Sequence, residues 1–538
     1  MTFLFSRGLS RLLFLEGMHV YRADGASSAR PVCDQCRKRK EDEDCEYTSG
    51  THSLTRTQVL EQNISKLEAR IREIENPADL VQLHAVSSVT GVQSATKDNT
   101  AHLRQVSSAP KQADAAVSSV QLTAKDAYAL IHAFLPHATR VGFFLNIPRF
   151  TKTVAVSVSG GQDRCSGSLM AVACLWGSRF VTANIVEDDL LTHAIQAVTN
   201  ALSQLETASP DPAQSILGLI QAEVLLANYF YSSNRLTEGK YHTSAAVSLA
   251  VGCRLNTVGC SPASSSPACS ASGPHLQNAT FDLGSAPASD AVDVGERINA
   301  FWTVFTLDKT WSVVTGTLST TSEQMPVMTP WPLEMAAYEQ VKGFIPLPFP
   351  VPTIRAFLQE PAAEPRTPLA LRAKAVFLLS RAAHLSSNIH GSMTKEAFNR
   401  EFMALDGLLK SFTLNLPQLA VQAGSTSDGH EHYVASCLTH AASIQLHAPF
   451  SRLRVESRER CSAAVLIIVS LTERFKAMPT GSIDPIMAMI LVNCGQYITQ
   501  HRVPDFESSH PLVERIIGMM FDLGSVCHLM CQCSCFLV

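Results

Sequence analysis

Residues Ile220 to Asn256 read IQAEVLLANYFYSSNRLTEGKYHTSAAVSLAVGCRLN. The first half is apolar nearly all round, the second alternates small and apolar residues at helical spacing, and Ser232-Ser233-Asn234 interrupts them. Small polar residues between two periodic runs mark a tight turn. The stretch therefore predicts a helical hairpin, Ala213 to Tyr231 followed by Leu236 to Leu255. β-branched alternation of period two is scarce throughout the chain, so few or no strands are expected. Paired antiparallel helices with short turns make an all-α stack.

Working outward, the same texture runs over residues 121–523. Asp126 to Leu135 has helical spacing and ends at Pro136. Ser168 to Phe180 (SLMAVACLWGSRF) is apolar all round, as a buried helix is. Asp188 to Leu205 follows and is closed by Ser209-Pro210-Asp211-Pro212. Downstream, SPASSSPACSASGP marks a low-complexity surface insert over 259–290. Helical order returns at Val294 to Val314, and MPVMTPWP (Met325 to Pro332) forms a proline-bounded loop. Further helices are expected at 369–389, 395–412, 431–447, 457–478, 483–501 and 511–523.

Before this body lies a different composition. In the segment 31–50, Cys33 and Cys36 are separated by two residues, a spacing that lets one turn aim both sulfurs at a single tetrahedral ion. Arg37, Lys38, Arg39 and Lys40 follow, cations suited to phosphate oxygens or to a solvated charge block or nuclear localisation signal, and Cys45 closes the segment after four acidic residues. In 55–76, Leu60, Ile64, Leu67, Ile71 and Ile74 alternate steps of four and three. Ile64 and Ile71 at a with Leu60, Leu67 and Ile74 at d favour a parallel dimer. Residues 77–120 are rich in Ser, Ala, Gln and Thr and read as a flexible linker. Residues 1–30 are Arg-bearing with short apolar bursts and read as a disordered or mispredicted tail, with a mitochondrial presequence as the alternative.

Other features have plainer readings. The formal net charge of -4 means that nucleic-acid affinity must come from a local patch. The 15 cysteines lack a regular framework and suit free thiols in a reducing compartment. No run approaches the ~18 apolar residues that cross a bilayer, so a soluble protein without a membrane partner is expected. Trp302, Phe305, Trp311 and Trp331 read as core rather than a ligand pocket. His430-Glu431-His432 reads as a solvated loop. Cys527, Cys531, Cys533 and Cys535 crowd a Cys-rich tail, 524–538, without a turn that would organise them. No dinucleotide fingerprint, P-loop, HExxH or nucleophile elbow is present, and no enzyme is expected.

The order Cys33-x2-Cys36, basic run, Cys45, linker and short coiled coil resembles the head of the fungal binuclear zinc cluster transcription factors. Two later segments, Ile220 to Asn256 and Gly295 to Gly316 with Thr329 to Pro332, resemble the "middle homology" regulatory domain of the same family. The resemblance implies a Zn2+ cofactor held by Cys33, Cys36 and Cys45, and contacts from Arg37 to Lys40 to double-stranded DNA. It also implies a nuclear location, regulation of RNA polymerase II transcription, a homodimer or heterodimer, and a small-molecule inducer or co-regulator. The chain departs from the family in having three of its six head cysteines, too few to complete either metal's four ligands. A nuclear dimerising regulator without autonomous DNA binding is therefore the alternative. A second departure follows Gly316, where Thr317-Leu318-Ser319 replaces the family's usual turn.

Overall fold

The computed structural model describes residues 123–535 and Leu537, apart from several loops, of which the longest are 260–282, 342–351 and 418–426. The chain divides into two compact units, Val20–Ala116 and the remainder, and every described residue belongs to the second. The candidate metal, DNA-contact and dimerisation residues, Cys33 to Ile74, lie outside the described residues.

Among the described residues the fold is all-α, without a strand. The helices are α1 (Ala124–Phe134), α2 (Ile147–Val158), α3 (Gly167–Ser178), α4 (Glu187–Ser203), α5 (Pro212–Ser232), α6 (Leu236–Gly252), α7 (Ala291–Thr315) and α8 (Met335–Glu339). After them come α9 (Thr353–Gln359), α10 (Pro368–Ser387), α11 (Lys395–Leu414), α12 (Ser427–His447), α13 (Val455–Lys476), α14 (Ile486–His501), α15 (Ser509–Leu523) and α16 (His528–Ser534). Four helices were not foreseen from periodicity: α2, α8, α9 and α16. Two of these have only seven residues each, too few turns for a helical period to show.

Local chemistry sets the helix starts. Thr123, Thr367 and Thr394 each accept a backbone N–H of the first turn of α1, α10 and α11 through the side-chain oxygen. Pro368 stands at the first position of α10, where its missing N–H costs nothing. Asp290 caps α7 by accepting from Asp293 N at 2.9 Å, and Gly316 ends it in the left-handed region at φ 66°. That ending favours glycine because no Cβ meets the carbonyl.

Packing follows from which faces are apolar. The hairpin α5–α6 forms as its sequence predicts, with Asn234 at φ 61° in the turn. α3, apolar on every side, lies against α1, α4 and α5. α7, with 25 residues nearly all buried, runs between α6 on one side and α10 on the other. α10 pairs closely with α12, which continues the stack to α13 and α14. α16 rests on α5, α14 and α15, so Cys527 and Cys533 are buried while Cys531 and Cys535 face solvent. Burial pushes the Cys527 and Cys533 thiols up to about 12. No helix among the described residues is long and apolar enough to cross a membrane.

Candidate functional site: a cavity beside the central helix

Gln221, fully buried on α5, holds the loop that leads into α2. Its Oε1 accepts Phe144 N at 2.6 Å and its Nε2 donates to the Gly142 carbonyl at 3.0 Å. Asn228, two turns further along α5, donates to the Val141 carbonyl at 2.9 Å. Gly142 has φ 92°, and a Cβ there would stand 2.7 Å from Asn228 Nδ2, so the loop has room for hydrogen only. Asn146 ends the loop by donating its backbone N–H to Glu296 of α7 at 2.9 Å and its amide to Glu339 of α8 at 2.5 Å. Burial raises the Glu296 carboxyl to about 6 despite the bond from Asn146.

This loop roofs a cavity of about 410 Å³ between α7, the start of α10 and the turn 482–485. In the floor, Arg372 donates from Nη1 to both oxygens of Glu431, at 3.2 and 3.1 Å, and from Nη2 to Asp484. Burial alone would raise the Glu431 carboxyl, but the Arg372 charge and hydrogen bonds outweigh it and bring it down to about 2. His430, adjacent in sequence, is fully buried. The reading of His430 to His432 as a solvated loop is therefore corrected: these residues lie on α12, whose amphipathic period is masked because both faces are covered.

Trp302, Phe305 and Trp311 are core, as their spacing suggests, and half-buried Trp331 packs on them. Trp302 stacks on Trp331 with centroids 4.1 Å apart and donates Nε1–H to the Pro330 carbonyl at 2.6 Å. Glu296, Arg297, Asp308 and Lys309 of α7 each find partners outside that set of four. Arg297 forks onto Asp293 at 2.9 and 3.0 Å. Asp308 accepts Ser319 Oγ at 2.6 Å and Thr321 N at 2.9 Å, with Lys240 Nζ at 3.5 Å. Burial would raise the Asp308 carboxyl, yet these donors hold it below its ordinary value. The unusual turn after Gly316 is thus the ligand set of a buried aspartate.

A second polar cluster has a suggestive order. His447 Nδ1 lies 3.1 Å from Ser457 Oγ, and its Nε2 lies 3.1 Å from Asp406 Oδ1. All three side chains are buried, and Lys410 and Arg460 share Asp406. A hydroxyl sealed inside a helix junction presents no nucleophile to a substrate, and the cluster ties α11 to α12 and α13. Among the described residues no group of three or more His, Cys, Asp or Glu is placed to hold a metal ion.

The two segments Ile220–Asn256 and Thr329–Pro332 meet directly: Met328 N and Thr329 N both donate to the Asn256 carbonyl, at 2.8 and 3.1 Å. Residues 142–330 match the fungal specific transcription factor domain. The matched stretch begins at Gly142, in the positive-φ loop, and ends at Pro330, whose carbonyl takes the Trp302 indole. No curated protein and no solved structure matches the chain. The cavity is built partly from the fungal-specific domain, through residues 142–148 and α7, and partly from α10, Glu431 and the turn 482–485 beyond it.

Sequence reasoning found the core but not this cavity. Gln221, Arg372, Glu431 and Asp484 stand in four separate segments, and no motif joins them. The only signal was the presence of charged residues inside otherwise apolar helices, where an unpaired charge is too costly to persist.

Proposed function

We propose that this protein is a nuclear regulator of RNA polymerase II transcription, in which the all-α body is the regulatory part and residues 31–76 engage DNA and a second subunit. The observation that carries the reading is the match of residues 142–330 to the fungal specific transcription factor domain, in a chain that also has Cys33, Cys36 and Cys45, a basic run and a coiled-coil pattern in the family's order. In this reading Zn2+ on Cys33, Cys36 and Cys45 braces the head. Arg37, Lys38, Arg39 and Lys40 contact phosphates and base edges, and Leu60, Ile64, Leu67, Ile71 and Ile74 set the spacing of two half-sites.

The count of three head cysteines favours a second reading, a dimerising nuclear regulator that does not grip DNA alone. Structural zinc needs four ligands, and small metal domains fold only with the metal bound. Zinc per chain, measured on purified full-length protein alongside duplex binding at several salt concentrations, separates the two. Bound zinc with affinity that falls steeply as salt rises supports a DNA-binding head. A zinc-free dimer that ignores duplex DNA supports the second reading. A zinc-free monomer that neither binds DNA nor alters transcription when tethered to a promoter overturns both.

A further inference from the structure

We propose that the cavity beneath the 139–148 loop binds a small organic ammonium compound with an apolar body. Its volume, about 410 Å³, lies at the lower end of the range roughly 300–1,000 Å³ occupied by small-molecule sites. The walls are largely apolar, with Phe143, Phe144, Trp176, Leu307 and Val526 among them.

The charged lining holds more carboxylates than cations. Two arginines, Arg140 and Arg372, face four carboxylates, Glu334, Glu339, Glu431 and Asp484. Arg372 bonds to Glu431 and Asp484 together, so one guanidinium balances two charges and the floor stays negative. Two neutral amide donors nearby are already committed, Asn146 Nδ2 to Glu339 and Asn228 Nδ2 to the Val141 carbonyl. Three buried lining side chains carry an oxygen without a protein hydrogen-bond partner: Asn299 Oδ1, Thr306 Oγ1 and Ser482 Oγ. Asn299 and Thr306 lie two turns apart on α7, on the side that faces α10. An amide oxygen accepts only, and hydroxyls accept as readily as they donate.

Such a lining rewards a ligand that brings N–H groups and positive charge, and it repels a carboxylate or phosphate. Because α7 belongs to the fungal-specific domain while Arg372, Glu431 and Asp484 lie beyond it, a bound amine would tie the two parts together. The binding claim stands on the cavity alone; a regulatory effect of the amine rests on the transcription reading above.

The test is calorimetric titration of the full-length protein with butylamine, 2-phenylethylamine and tryptamine, each paired with the carboxylate on the same carbon body. Amines are expected to bind, with 2-phenylethylamine ahead of butylamine and at least about tenfold ahead of 3-phenylpropionate, since pairing with a charged partner strengthens a hydrogen bond roughly twofold in energy. Asn299→Leu should abolish amine binding. Because that substitution sits in the core, Glu339→Gln at the exposed rim provides a second reading, and it should weaken the amines several-fold while leaving the melting temperature within a degree or so. Equal affinity for amines and carboxylates, no amine binding at millimolar concentration, or unchanged binding in both variants overturns the proposal. Those results would leave the transcription reading intact, whereas a promoter-tethered chain without effect would leave the binding result intact.

Discussion

Asn256 and Thr329 form the joint between the α5–α6 hairpin and the end of the stretch that matches the fungal specific transcription factor domain. The Asn256 carbonyl takes Thr329 N at 3.1 Å, and Thr329 Oγ1 in turn donates to the neighbouring Leu255 carbonyl and accepts Val258 N at 3.1 Å. Thr329 is fully buried, so none of these groups has water as a substitute. Thr329→Val keeps the shape and deletes the hydroxyl, leaving Leu255 O and Val258 N buried and unpaired. The expected cost is ~1–3 kcal/mol per orphaned group, read as a lower denaturant midpoint with an unchanged slope.

The Arg372 clamp makes stability depend on pH in a defined window. The Glu431 carboxyl is brought from an ordinary 4.5 to about 2 in the folded protein. Its contribution is therefore complete above pH 4.5 and is lost as pH falls through that value toward 2. Arg372→Ala strands two buried carboxylates, with an expected loss of ~3–5 kcal/mol at neutral pH. Thermal melts from pH 3 to 7 should show this difference narrowing toward the acid end, because the stranded Glu431 carboxylate can then protonate.

Glu296 has the opposite sign. Its carboxyl is raised from 4.5 to about 6 by burial, so the folded state holds a proton that the unfolded chain releases. Stability from this site is full below pH 4.5 and declines as pH rises through 6. Glu296→Gln keeps an acceptor for Asn146 N and removes the buried charge. It is expected to stabilise by about 1–2 kcal/mol at pH 8 and by nothing measurable at pH 4. Equal effects at both values would remove the buried charge as the cause.

Two helical glycines should respond in opposite directions to alanine. A Cβ on Gly177 would stand 2.1 Å from the Leu130 carbonyl oxygen, because α3 crosses α1 main chain against main chain. Gly177→Ala must push the helices apart and should cost at least ~1–3 kcal/mol, the range for overpacked cores. Gly407 on α11 has nothing within 4 Å of the Cβ position. Gly407→Ala should stabilise by roughly 0.5–1 kcal/mol through the smaller backbone entropy lost on folding.

The buried order Ser457–His447–Asp406 invites a hydrolase assay, and a negative result is expected. Incubation of folded protein with a fluorophosphonate should leave Ser457 unlabelled, since all three side chains are sealed between helices. Labelling of Ser457 in the folded state would contradict a purely structural cluster.

The all-α class and most helix positions were legible because both depend on local information. Caps such as Thr123, Thr367 and Asp290 act within one turn, and the apolar period of the hairpin repeats within a dozen residues. The aromatic residues around Trp302 were equally legible as core, since aromatics at helical spacing bury large areas wherever they pack. His430 was misread for the converse reason. Its Gly- and Ser-rich neighbourhood looks solvated, and only the approach of α10 and α13 covers it.

What the sequence determined by itself was most of the helices, their order, and the composition break between residues 1–120 and the helical body. These arise from propensities, caps and periodicity, which act over a few residues. Only the tertiary structure decided which charges pair and where space remains. Arg372 finds Glu431 and Asp484, and Asn146 finds Glu296 and Glu339, across separations at which the chain carries no local record of the contact. Pairing of buried charges is settled by the packing of whole helices, because the cost of an unpaired charge is felt only once water has been excluded.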